Sequence, residues 1–334
     1  MIDLSSLPKV ELHRHLEGSV RFMTFVSIAL EGGMSMPGGF FKLRDRVRVC
    51  HGDRRSLTSF LKKFDLYRDL YPSRASIERV AREAAEDAAY DGVVHLELRF
   101  SPVHFARRMK ADPVEVAGWI IRAARQGAGA MTVKFIITLG RHHSPRENAP
   151  SVDAAIEHKG DVVALDVAGP ETLPLAPFKP LLARGARAGL GITIHAGEAR
   201  GPASVREAIA LGATRIGHGV RAAGDLKLLD EIRRRGIAFE MCLTSNTQTG
   251  AVRRPEEHPL VPLFKEGHRV TINTDDPQVC GTDLVREFAE ARRLGLKKAD
   301  LAKLTDHAVE AAFLTDKERE VLRKRLAHQR RVSE

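Results

Sequence analysis

The sequence predicts an α/β protein built as an eight-stranded β/α barrel, and three observations carry that expectation. Eight short apolar runs of strand character recur along the 334 residues. Segments with helical periodicity lie between them, as in residues 75–90, 113–126 and 225–235. Long helical stretches extend the pattern after the first run and at the C-terminus. Strand–helix alternation implies a parallel sheet with crossover helices. Eight such units suggest closure into a barrel of the TIM type, (β/α)8, although an open doubly wound sheet satisfies the same alternation.

Taken in order, the predicted strands are 10–13, 93–100, 132–139, 162–167, 191–195, 214–217, 237–242 and 269–273. The first crossover, from Ser19 to Asp91, is far longer than one helix needs. It should hold several helices and a loop rich in Gly and Pro at 34–41. An insertion after the first strand sits at the active-site end of a barrel, where it could act as a lid. After Thr282 the chain reads as helices to its end. No linker, repeat or low-complexity segment interrupts it, so residues 1–334 are expected to form one domain.

Composition removes several function classes. Hydrophobic residues make up 43% and charged residues 29%, which is globular. No run of about 18 apolar residues suggests a membrane span, and the start lacks the basic and apolar regions of a signal peptide, so a cytoplasmic protein is expected. The three cysteines, Cys50, Cys242 and Cys280, form no C-x-x-C pair and support neither a disulfide framework nor a cysteine metal site. The net charge of +10 could serve nucleic acid. The basic residues, however, are interspersed with acids, as in Asp230-Glu231 before Arg233-Arg234-Arg235, and read as solvated helix faces. With only 5% aromatics there is no obvious base-stacking surface. The expected partner is a small molecule, with no nucleic acid, membrane or obligate protein partner.

Polar residues gather where the predicted strands end. In Glu11-Leu12-His13-Arg14-His15 the two histidines are two residues apart, so they share a face of the first strand. Two imidazoles so placed can ligate one metal ion. An H-x-H pair alone arises often by chance. The fifth strand, however, ends in His195-Ala196-Gly197-Glu198, where Gly197 permits a tight turn that could aim Glu198 inward. The sixth ends in Gly217-His218-Gly219. The eighth ends in Asn273-Thr274-Asp275-Asp276-Pro277, and adjacent carboxylates need a cation or a proton. One site satisfies all of these. His13, His15, His195 and Asp275 would bind one divalent ion, with zinc the best match to nitrogen and oxygen ligands, although iron, cobalt or manganese also fit such a set. A water on that ion would titrate near neutral pH. Glu198 could shuttle protons, and His218 could orient the nucleophile.

These residues, with Leu7-Pro8-Lys9-Val10-Glu11-Leu12-His13-Arg14-His15-Leu16-Glu17-Gly18 and Cys242-Leu243-Thr244-Ser245-Asn246, resemble the ordered motifs of the adenosine deaminase family within the amidohydrolases. The resemblance covers nearly the whole chain. It implies one zinc ion on His13, His15, His195 and Asp275. It implies that Glu198 protonates purine N1 during attack at C6, that His218 holds the nucleophile, and that Asp276 contacts N7. Gly169 would contact N3 through its backbone, and Glu17 would lie near the ribose 5′ end, with His15 also at the substrate. The segment around Phe60 and Phe64 resembles the one that covers the substrate, though packing accounts for the same phenylalanines. Two residues depart from the pattern. Leu243 stands where the family usually has Pro, and Glu17 where well-known adenosine deaminases have Asp. Relatives acting on adenine or 6-aminodeoxyfutalosine often carry Glu there, so those substrates are the alternative. A two-metal hydrolase with a bridging lysine is disfavoured, because no lysine falls at a predicted strand end.

Overall fold

The computed structural model describes residues 4–35 and 38–332. Eight parallel strands follow one another around the sheet in sequence order. They are β1 (Lys9–His15), β2 (Val93–Phe100), β3 (Thr132–Gly140), β4 (Val162–Ala168), β5 (Gly191–Ala196), β6 (Arg215–His218), β7 (Ala238–Met241) and β8 (Val270–Ile272). Helices lie between them, so the expected (β/α)8 barrel is present and the open sheet is not.

The strand sequences explain why both faces are buried. In β2, Leu96, Leu98 and Phe100 pack into the main apolar core. The alternate residues His95, Glu97 and Arg99 are also fully buried. Their partners lie on distant strands. Arg99 pairs with Asp166 of β4 at 3.1 Å and with Glu240 of β7 at 2.7 Å, and Glu97 pairs with Arg215 of β6 at 2.6 Å. Only the interior of a barrel lets β2 reach β4, β6 and β7 at once. The barrel is therefore filled partly by a network of charges, each needing a partner because an unpaired ion in this setting is costly.

The barrel closes between β8 and β1 by a short seam. Arg14 and Asp275 form an isolated parallel bridge. The His15 N–H donates to the Asp275 carbonyl at 2.8 Å, and the Asp275 N–H donates to the His13 carbonyl at 2.9 Å. Side chains extend the seam. The Leu12 N–H donates to Asn273 Oδ1 at 2.9 Å, and the Thr274 N–H donates to Glu11 Oε1 at 2.9 Å.

The long first crossover contains the helices Phe22–Glu31, Gly39–Val47, Leu57–Leu61 and Arg74–Tyr90, with 3-10 turns at Glu17–Ser19 and Lys62–Phe64. The predicted loop at 34–41 is shorter than expected. Gly38, at φ 86°, starts a helix that already includes residues 39–41, while Met36 and Pro37 lie outside the described residues. After Thr282 the helices Leu284–Arg293, Lys298–Ala311 and Asp316–Val332 follow, as predicted. Among the described residues no helix is long and apolar enough to cross a membrane.

Candidate active site

The C-terminal ends of the strands surround a cavity of about 580 Å³, lined among others by His15, Glu17, Phe60, Phe64, Gly169, His195, Glu198, His218, Asp275 and Asp276. The short helix Leu57–Leu61 and the turn after it cover one side, and Phe60 is buried beneath it. Ser56 caps that helix by accepting the Ser59 N–H at 3.2 Å, which fixes where it starts.

His13, His15, His195 and Asp275 each offer one ligand atom, and these four atoms lie within 4.8 Å of one another. Alternation along β1 brings His13 and His15 to the same place, as expected. Carboxylates fix the ring orientations. Glu240 Oε2 is 2.7 Å from His13 Nδ1, and Asp166 Oδ1 is 3.0 Å from His195 Nδ1. Each carboxylate takes the Nδ1–H, which leaves the Nε2 lone pair directed at the centre. There His15 Nε2 is 3.2 Å from His195 Nε2, and His13 Nε2 is 3.1 Å from Asp275 Oδ1. Acceptors facing acceptors at this spacing need a cation between them, so the donor set fits a divalent metal. Ser245 Oγ donates to the second Asp275 oxygen at 2.6 Å and aims the first one inward.

Two backbone features place the remaining groups. His218 and Asp275 both have φ near 63°, a conformation that side-chain-bearing residues adopt at a cost of about 1–3 kcal/mol. Glycine on either side of His218 makes that turn fit. A Cβ on Gly217 would lie 3.1 Å from the His13 ring, and one on Gly219 would collide with the Phe239 ring. Gly197, at φ 74°, turns the chain after β5 and brings Glu198 into the cavity wall, as the sequence suggested.

Electrostatics separate the carboxyl groups into two kinds. Burial alone would push Asp275 up, but the His13 imidazole at 3.1 Å and those of His218 and His15 outweigh it and hold Asp275 well below the usual carboxylate range. Burial, with the nearby Asp275 charge second, lifts both Glu198 and Asp276 well above that range. Burial also raises Glu17 to about 7. Glu198 Oε1, Asp276 Oδ1 and Glu17 Oε2 are buried and have no partner in the protein. Glu198 Oε2 stands 3.6 Å from His218 Nε2, and burial holds His218 well below the ordinary histidine value.

A model of the adenosine deaminase family matches residues 8–329. The chain belongs to the adenosine deaminase family. It is therefore a hydrolytic deaminase acting on a purine amino group. Among family members, the adenosine deaminase of Serratia proteamaculans is 36% identical over 329 residues, covering 97% of this chain and 98% of the relative. That of Shigella flexneri is 37% identical over 333 residues, covering 98% and 99%. The apo structure of the N6-methyl-AMP deaminase from Arabidopsis thaliana superposes with a TM-score of 0.86 at 28% identity, covering 97% of each chain. An adenine deaminase from Arthrobacter aurescens, at 23% identity, shares the fold with a TM-score of 0.88 over 96% of this chain and 98% of its own. The family's enzymes are metal-dependent, and the quartet here is chemically suited to that role.

Glu240, Asp166 and Arg99 were not legible as site residues. Asp166 and Glu240 are single charges in their strands, Arg99 shares β2 with Glu97, and the partners lie tens of residues away or more. The only signal was a charged side chain inside an otherwise apolar run. Cys242, which the sequence did not place in a metal site, is buried and reaches within 4.8 Å of the His218 and Asp275 ligand atoms, although burial pushes its thiol well up. Leu243 begins the helix Leu243–Gln248, a position Pro also occupies readily, so the exchange leaves the backbone path intact. It also supplies an N–H that proline lacks, directed with that of Thr244 to the buried Glu287.

Proposed function

We propose that this chain is a zinc-dependent deaminase that converts adenosine and 2′-deoxyadenosine to inosine and 2′-deoxyinosine with release of ammonia. One observation carries the reading. Beside a metal-ligand quartet, Glu198 and Asp276 face the cavity with buried carboxyl oxygens that lack partners, in surroundings that favour their protonated forms.

Adenine N1, N3 and N7 are all acceptors, so a site that reads them needs donors. Glu198 would donate to N1, Asp276 to N7, and the Gly169 N–H to N3. His15 would lie against the substrate, and Glu17 would meet the ribose end. His13, His15, His195 and Asp275 would hold one zinc ion per chain. When bound, such an ion supplies Lewis acidity and lowers the pKa of a water to about 7. As a water oxygen adds to C6, Glu198 gives its proton to N1 and relieves the charge that would build on the ring. One water proton replaces the one Glu198 gives. The other leaves with the amino nitrogen as ammonia when the C6–N bond breaks. Phe60 and the helix above it would keep bulk water out. In this reading residues 1–334 act as one domain in the cytoplasm, on a small molecule, without an obligate protein partner.

Glu17 favours a second reading, deamination of adenine or 6-aminodeoxyfutalosine by the same chemistry, because its longer carboxylate falls where the substrates differ. A panel of adenosine, 2′-deoxyadenosine, adenine, AMP and 6-aminodeoxyfutalosine, compared by kcat/KM with metal content measured in parallel, tests both. We expect one zinc per chain and the highest ratio for adenosine or its 2′-deoxy form. A leading ratio for adenine or 6-aminodeoxyfutalosine selects the second reading. Ammonia release from none of them by metal-loaded protein sinks both.

A further inference from the structure

Behind His218 runs a chain of hydrogen bonds with a fixed direction. His218 Nδ1 is 3.0 Å from Asn246 Nδ2. Asn246 Oδ1 is 3.3 Å from the Cys242 N–H and 3.1 Å from His258 Nε2. His258 Nδ1 is 3.1 Å from the Leu260 N–H. His218, Asn246 and His258 are all buried.

Two of these donors are backbone N–H groups, which cannot reverse their role. The Leu260 N–H claims the lone pair on His258 Nδ1, so a neutral His258 carries its proton on Nε2. Burial pushes His258 down to about 3, which keeps it neutral at ordinary pH. The Cys242 N–H and the His258 Nε2–H then point at the same Asn246 atom. That atom must be the carbonyl oxygen, because the amide nitrogen there would place donors against donors. The Asn246 amide nitrogen therefore faces His218, and its N–H claims the lone pair on Nδ1. Only Nε2 of His218 is left to hold the proton, and Nε2 is the atom that faces Glu198.

We propose that Asn246 and His258 are positioning residues that hold His218 in the tautomer protonated on Nε2, so that His218 donates a hydrogen bond into the site and does not serve as its general base. Proton traffic is then left to Glu198. The tautomer follows from the hydrogen-bond geometry around a neutral His258; its catalytic consequence rests on the deaminase reading. In the Ser-His-Asp triad a wrong histidine tautomer costs about 10⁴-fold in kcat, so the effect of misplacing this proton is expected to be large.

The test measures the tautomer directly. Holoenzyme labelled with ¹⁵N in its imidazoles is studied by long-range ¹H–¹⁵N correlation, with His218 signals assigned by their loss in His218→Gln. In the parental protein we expect His218 protonated on Nε2 and bare on Nδ1. Asn246→Asp keeps the size but puts an acceptor opposite Nδ1, so Nδ1 should gain a proton. In that variant kcat should fall about 10²–10⁴-fold, with KM within about threefold and metal content unchanged. His218 protonated on Nδ1 in the parental protein overturns the proposal, and that measurement stands even if Asn246→Asp does not fold. A folded Asn246→Asp with Nδ1 still bare removes Asn246 from the relay. A proton gained on Nδ1 with kcat unchanged overturns the catalytic role of the relay. If the parental enzyme deaminates no purine, the deaminase reading fails while the tautomer assignment is still decided by the spectra.

Discussion

Glu17 accepts the Ser101 N–H at 2.8 Å with one carboxyl oxygen, and the other has no protein partner. Burial raises the group from 4.5 to about 7 on folding. Below the unfolded value both states are protonated, and the residue leaves stability unchanged. As pH rises from there towards the folded value, the unfolded chain releases a proton that the folded chain keeps, so the native state loses ground. Glu17→Gln retains the acceptor for Ser101 and cannot ionise. At about pH 8 it should be more stable than the parental protein by roughly 3 kcal/mol, taking about 1.4 kcal/mol per pKa unit, and the difference should vanish near pH 4. Urea unfolding of both proteins at the two pH values measures it; equal gaps at both would mean that Glu17 does not titrate in the fold. His13, His15, His195 and Asp275 could be recognised in the sequence because strand alternation and strand ends are local properties. The unsatisfied oxygen of Glu17 could not, since it depends on Ser101, 84 residues away.

At the scale of elements, β6 ties the barrel to the C-terminal helices through one side chain. Arg215 pairs with Glu97 and Glu240 at 2.6 Å each. It also donates to the Ala311 carbonyl at 3.2 Å and stacks on the Phe313 ring at 4.0 Å, while the Phe313 N–H returns to Glu97 at 2.6 Å. Arg215→Met would leave two carboxylates buried without their shared cation. The expected loss is about 3–5 kcal/mol. Because Glu240 keeps Arg99 and His13 as partners in the variant, kcat of the folded fraction should stay within about threefold of the parental value. A loss below about 1 kcal/mol would show that the two acids find other partners or protonate. The strands themselves were legible to within two residues, since apolar runs bounded by polar turns mark them. The helix Gly39–Val47 was missed at its start. Phe40 and Phe41 are exposed and sit beside two glycines, so helical periodicity has no buried face there to reveal it.

For the whole molecule, eightfold alternation was enough to predict a barrel, but not how that barrel closes. β8 has three residues, and its contact with β1 is completed by the Arg14–Asp275 bridge and by side chains. Periodicity carries no information about such a seam, because its bonds join residues some 260 positions apart. On the surface many arginines lie against acids, as Arg233 and Arg234 do with Asp230.

The seam has a thermodynamic consequence. His13 and His15 belong to one of its edges and Asp275 to the other, so an ion held by all three would act as a clasp on the ring of strands. Ligands that bind only the closed form stabilise it by mass action. Chelation should therefore loosen this joint first. The amides of His15 and Asp275, which cross it, should lose at least about tenfold of their protection from deuterium exchange when the metal is removed, while amides between β2 and β3 change little. Returning the metal should restore the protection. Uniform loss around the barrel, or none at the seam, would mean that the ring holds its shape without the clasp.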